Sequence, residues 1–181
     1  MIGQSSSHTA GAVRIGLVAR AVLGTPPQKA DIELHGSVAA TGKGHATDRA
    51  LVAGLLGFLP DDERIKDSLA FAADAGLRVS FSSVDLGEEV HPNSARITME
   101  SSEGASCRFV GSSTGGGSIR IVDVDGYPTS FGGELETALL WHRDGPGFLA
   151  KVTALLACAE GKHRNNPHEP ARAGSRSADR D

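Results

Sequence analysis

The sequence predicts an α/β (α+β) fold, a mixed sheet flanked by helices, followed by a further short βα segment. Three observations lead there. A nearly continuous apolar run from His8 to Leu23 carries only Arg14 and Arg20 as charged residues and is stopped by Gly24 and Pro26-Pro27. Two amphipathic stretches lie between Thr47 and Gly76, and from Leu77 onward the pattern changes to short alternating segments set between Gly, Ser and Asp. Helices with one apolar face need a sheet to cover, and this order of elements supplies both layers.

Taken in order, His8 to Leu23 reads as a buried helix. Asp31 to Val38 alternates, with Ile32, Leu34, Gly36 and Val38 on one face and Glu33, His35 and Ser37 on the other, which is a half-buried strand. Thr47 or Asp48 caps a second helix carrying Leu51, Leu55 and Phe58, and Asp61 or Asp62 a third carrying Ile65, Leu69 and Ala72. Strands are expected at 77–82, 95–100, 106–111 and 119–124. These elements make one domain over 1–132, with Gly132-Gly133 as a joint. Beyond it, 135–141 reads as a strand and 148–157 as a helix with Leu149, Val152 and Leu156 on one side, a segment of 133–160. The tail 161–181 loses nearly all apolar residues and is expected to be disordered.

Composition narrows the function classes. A chain of 181 residues with 39% hydrophobic and 22% charged residues can bury a core. A net charge of -4 gives no basic surface for nucleic acid. No apolar stretch is long enough to span a bilayer and the first residues lack a signal peptide's pattern, so no membrane role and a cytoplasmic location are expected. Cys107 and Cys158 are far apart and lack metal-ligand spacing, so no metal ligand is assigned to this chain.

Four polar segments carry the candidate chemistry. Ser5-Ser6-Ser7-His8-Thr9 opens the first helix, where hydroxyls and free N–H groups suit an anion and His8 can move a proton, although helix capping alone also explains the serines. The glycine-rich stretch from Gly36 to Asp48 includes Lys43, a carboxylate binder, and His45; it lacks P-loop spacing, and a tight strand-to-helix turn accounts for the glycines equally well. In His91-Pro92-Asn93-Ser94, Pro92 fixes the directions of His91 and Asn93, or simply starts a strand. Gly111-Ser112-Ser113-Thr114-Gly115-Gly116-Gly117 is either an anion nest or a flexible turn. Residues alone lead to an anion-accepting domain with candidate proton-transfer histidines.

At these segments the chain resembles the beta subunit of bacterial iron-sulfur L-serine dehydratases. Residues 5–11, 36–48 and 91–93 match that family's three ordered signatures, and Leu139 to Gly147 looks like the opening of an ACT domain, a small βαββαβ ligand-binding module, so that 133–160 becomes an incomplete ACT-like βα segment. The resemblance implies a two-chain lyase that deaminates L-serine to pyruvate and ammonia, active only with an alpha subunit. That subunit would hold a 4Fe-4S cluster whose open iron acts as Lewis acid on the serine hydroxyl. It further implies His8 and His45 for proton transfer or orientation, and Ser5, Ser6, Ser7, Thr9, Lys43, His91 and Asn93 for substrate binding. His35, His142, His163 and His168 are expected on the surface or tail.

Two departures accompany the resemblance. Family members usually carry a further strand before the serine motif and Gly-Pro where this chain has Gly3-Gln4, which leaves a sheet edge unpaired. The ACT-like part stops after one strand and one helix, and 161–181 match nothing in that module, so regulation through it is not carried over. The alternative reading is a non-catalytic anion-binding regulatory module like that of some phosphoglycerate dehydrogenases.

Overall fold

In the computed structural model, residues 5–36, 46–143 and 145–163 are described, with side chains from 9–36, 46–143 and 145–158. The chain divides into two compact units, Met1–Leu139 and Leu140–Asp181. The first begins with α1 (Ser5–Leu23), three residues longer at its start than the apolar run implied, and ends at Gly24, whose φ of 81° is the left-handed conformation that closes helices. Strand β1 (Pro27–His35) follows. It starts four residues earlier than expected, because Pro27 sits at the first strand position, where a missing N–H does little harm.

Helix α2 (Ala46–Leu56) stops before Gly57, leaving Phe58 outside it. The expected third helix is split into a 3-10 turn (Glu63–Asp67), capped by the Asp62 carboxylate accepting from Arg64 N–H, and α3 (Ser68–Asp74). These helices cross between β1 and β2 (Arg78–Val84), which pair in parallel, the connection that parallel pairing requires. Strands β3 (Ser94–Ser101), β4 (Ser106–Gly115), β5 (Ser118–Val124) and β6 (Tyr127–Phe131) then form an antiparallel meander, giving the sheet order β2-β1-β3-β4-β5-β6. Turns Gly116-Gly117 and Asp125-Gly126, each with two positive φ values, make the last two hairpins. The mixed sheet flanked by helices is the architecture the sequence predicts.

Alternation divides the sheet's side chains between two faces. Ala30, Ile32 and Leu34, Ala95, Ile97 and Met99, and Phe109 are buried with Val13, Ala19, Leu51, Val52 and Leu55 of the helices. The intervening residues carry charge: Arg96, opposite Glu33 in register, donates to both Glu33 oxygens at 2.5 and 2.7 Å. Those bonds hold the Glu33 carboxyl below its ordinary range, and Lys29 and Ser80 do the same for Asp31.

Helices α1 and α2 cross where Gly16 meets Gly54. A Cβ on Gly54 would lie 2.7 Å from Leu17 N and 2.8 Å from Gly16 Cα, so only glycine permits this approach. Arg20 Nη1 donates to Leu55 O at 2.9 Å and closes the end of α2.

Residues 135–141, expected as a strand, pair with no strand among the described residues. A lone strand gains no ladder hydrogen bonds, and Leu135 is 82% exposed. In the second unit α4 (Phe148–His163) starts where expected but runs past the expected end at 157 and takes in 161–163, which were expected in the disordered tail; Leu149 and Leu156 are exposed and His142 stacks on Phe148 at 3.5 Å. The tail from 164 lies outside the described residues.

Candidate functional site

Pieces of three of the four polar segments, Thr47, Asn93 with Ser94, and Ser113, meet around one pocket of about 340 Å³, part of it open to solvent, which α1 lines through residues beyond the Ser5–Thr9 segment. Its apolar wall is Ala12 and Ile15 of α1, Leu34 of β1, Leu51 of α2 and Ala95 of β3; its polar lining is Thr47, Asn93, Ser94 and Ser113. Close packing draws the segments together. Gly36 has φ 61°, and a Cβ there would sit 2.6 Å from Pro92 O, so the start of the glycine-rich stretch lies against the His91-Pro92-Asn93 turn. A Cβ on Gly11 would collide with the Ser113 side chain, whose own Cβ would be only 3.1 Å away. Glycine at 11 thus lets the serine-opened helix approach β4.

The turn at 91–94 is fixed by its hydrogen bonds. Ser94 Oγ donates its one proton to His91 O at 2.5 Å, so the 2.7 Å contact between Ser94 and Ser112 hydroxyls has Ser112 as donor. Asn93 N–H donates to His91 Nδ1 at 3.1 Å, which leaves the proton of the neutral ring on Nε2. Ser113 N–H of β4 donates to Asn93 O at 2.9 Å and sets Ser113 beside the residue that precedes β3.

The expected site residues divide accordingly. Asn93 is half-buried and lines the pocket. His91 is exposed beside it and lines no part of it, the turn being held through its Nδ1 and carbonyl. Thr9 is half-buried in α1. Ser5, Ser6, Ser7 and His8 lie in the first turns of α1, with side chains outside the description. Lys43 and His45 lie outside the described residues; Thr47, two residues beyond His45, is on the pocket wall.

His35 is not a surface residue. Its side chain is 12% exposed, and Nδ1 accepts from Leu86 N–H at 3.2 Å, because β1 runs between β2 and β3. Sequence reasoning placed Ser113 only within a segment read as an anion nest or a turn, and Thr47 as a helix cap. The segment 112–115 reads as a loop from its Ser, Thr and Gly content, but it extends β4 and presents Ser113 to the pocket in strand geometry.

Known proteins resemble the chain over the same segments. A family model described as Serine dehydratase beta chain matches residues 1–79. The L-serine dehydratase beta chain of Peptoniphilus asaccharolyticus is 45% identical over 160 residues, covering 88% of this chain and 72% of that one. The chain belongs to the L-serine dehydratase beta-chain family. In Bacillus subtilis, the probable L-serine dehydratase beta chain is 43% identical over 157 residues, 87% of this chain and 70% of its own length. L-serine dehydratase 2 of Escherichia coli is 40% identical over 79 residues, which cover 40% of this chain and 17% of that protein.

Among the described residues of this beta chain, no group of three or more His, Cys, Asp or Glu side chains comes together to hold a metal. Cys107 is buried between strands, and burial, with Asp125 and Asp123 adding negative charge, pushes its thiol up to about 12. At neutral pH it is a thiol. No described helix is long and apolar enough to cross a membrane.

Proposed function

We propose that this beta chain is one of two subunits of an L-serine ammonia-lyase, which deaminates L-serine to pyruvate and ammonia with a 4Fe-4S cluster whose ligands lie on an alpha subunit. The observation that carries the reading is the pocket itself. Segments far apart in sequence place Thr47, Asn93 and Ser113 around one concave space with an apolar wall, the kind of lining that small-ligand sites have. The Escherichia coli relative, in which the matched region is 17% of a longer chain, supports a second polypeptide that supplies the rest.

The described residues do not fit a cluster, since no group of three or more His, Cys, Asp or Glu side chains comes together among them. The reading therefore assigns the cluster ligands to the alpha subunit and confines this chain to binding, orientation and proton handling. The Asn93 amide can both donate to a carboxylate and accept from an ammonium group. Ser5, Ser6, Ser7, Thr9 and Lys43 are proposed to hold the carboxylate, and His8 and His45 to hold or move the proton on the substrate's Cα. The same reading places the enzyme in the cytoplasm, where Cys107 and Cys158 stay unpaired.

The test is co-expression with an alpha chain and an anaerobic assay of pyruvate formed from L-serine. The wild-type pair is expected to form pyruvate, and His8→Ala or His45→Ala to reduce kcat roughly 100-fold or more. A complex with an intact cluster and no pyruvate would return the chain to a regulatory anion-binding role.

A further inference from the structure

We infer that the hydroxyl of Ser113 is a ligand-contacting group of this pocket, a hydrogen-bond partner for a bound hydroxy amino acid beside Asn93. The inference rests on the reading of the pocket as the L-serine site and adds a residue to it.

Ser113 is 6% exposed, and its Oγ has no hydrogen-bond partner among the described residues. A buried hydroxyl left unpaired is destabilising, and an alanine of nearly the same shape would avoid that cost. Its neighbours show how the local structure treats hydroxyls it uses itself. Ser94 and Ser112 bond to each other and to the His91 carbonyl, and are fully satisfied in holding the turn. Ser113 takes no part in that network.

Placement supplies the second argument. Ser113 lines the pocket that Asn93 lines, and the bond from Ser113 N–H to Asn93 O fixes their spacing. Gly11 presents only hydrogen toward Ser113, so the hydroxyl keeps space that any larger residue would fill. The unmet bonding capacity is one donor and an acceptor, neutral and set against an apolar wall. That chemistry suits a hydroxyl or a carboxylate oxygen of a small zwitterion. It does not suit a phosphate, which would call for cations.

The deciding experiment measures L-serine binding by calorimetry on the complete alpha-beta complex, wild type and Ser113→Ala, together with thermal unfolding of both without ligand. Removal of one used hydrogen bond is expected to raise the Kd for L-serine roughly 5- to 10-fold. Without ligand, the unfolding midpoint should stay level or rise, since an orphaned hydroxyl is removed. A Gly11→Ala variant, which crowds the same hydroxyl, should also weaken L-serine binding. Equal Kd values for wild type and Ser113→Ala would overturn the inference, as would a lowered midpoint at unchanged Kd, the mark of a packing role. Absence of L-serine binding in the wild type would overturn it as well. Binding by the wild type without pyruvate formation would instead remove the lyase reading and leave Ser113 as a ligand contact.

Discussion

Glycine brings backbone segments together at two places in this chain, with different results. At the crossing of α1 and α2, Gly16 and Gly54 meet backbone against backbone, and the surrounding atoms are apolar or already bonded. At the pocket, Gly11 faces the Ser113 hydroxyl and Gly36 faces Pro92, and a buried hydroxyl is left without a partner among the described residues, next to a cavity. The first close approach completes a core. The second leaves bonding capacity in a concave space, which is what a binding site needs. A tight glycine contact therefore indicates function here only where an unmet polar atom accompanies it.

The largest effect should come from closing the first approach. In Gly54→Ala the new methyl meets the α1 backbone from Val13 to Leu17, which cannot rotate away, so a loss of about 3 kcal/mol is expected in denaturant unfolding. Gly36→Ala attacks the second. A side chain at φ 61° costs about 1–2 kcal/mol, and displacing Pro92 should move Asn93, so L-serine binding should weaken by more than stability alone explains. An equal response of binding to both variants would erase the distinction between the two regions.

How much of this was legible in the sequence follows from where each signal resides. The ends of α1 and α3 were readable because Gly24 and Gly76 take positive φ values that other residues resist, whereas the expected α2 ran through Phe58, past the Gly57 that stops it. Strand β6 was missed, although Asp125-Gly126 is a hairpin signal, because Pro128 and Ser130 weaken its pattern; Pro128 is tolerated on an edge strand. The extension of β4 through Ser112–Gly115 was hidden by residues that favour turns in isolation, and pairing with Ile119 and Arg120 overrides that preference. The strand expected at 135–141 fails for the converse reason: pairing depends on a neighbour that local sequence does not specify. The site followed the same division. Asn93 was readable from its motif, whereas the orphaned state of Ser113 depends on α1, β3 and β4 being assembled.

The opposite face of the sheet supplies a smaller contrast, since its polar groups are satisfied in pairs. Glu33→Gln should cost about 1 kcal/mol by removing one charge of the Glu33–Arg96 pair. Because Arg96 lowers the folded carboxyl's pKa, this stability is fully present above the ordinary value of 4.5 and is lost as pH falls through the lower folded value. Unfolding of wild type and variant across that range should show the difference closing on acidification. The smallest effect belongs to Ser113→Ala, whose stability should match or slightly exceed wild type, in contrast to both glycine variants.

The most direct measurement is a crystal structure of the chain with its alpha partner and L-serine. The account predicts the amino acid seated between Asn93, just before β3, and Ser113 of β4, within hydrogen-bonding distance of both. L-serine held elsewhere, with this pocket filled by the protein's own side chains, would contradict it.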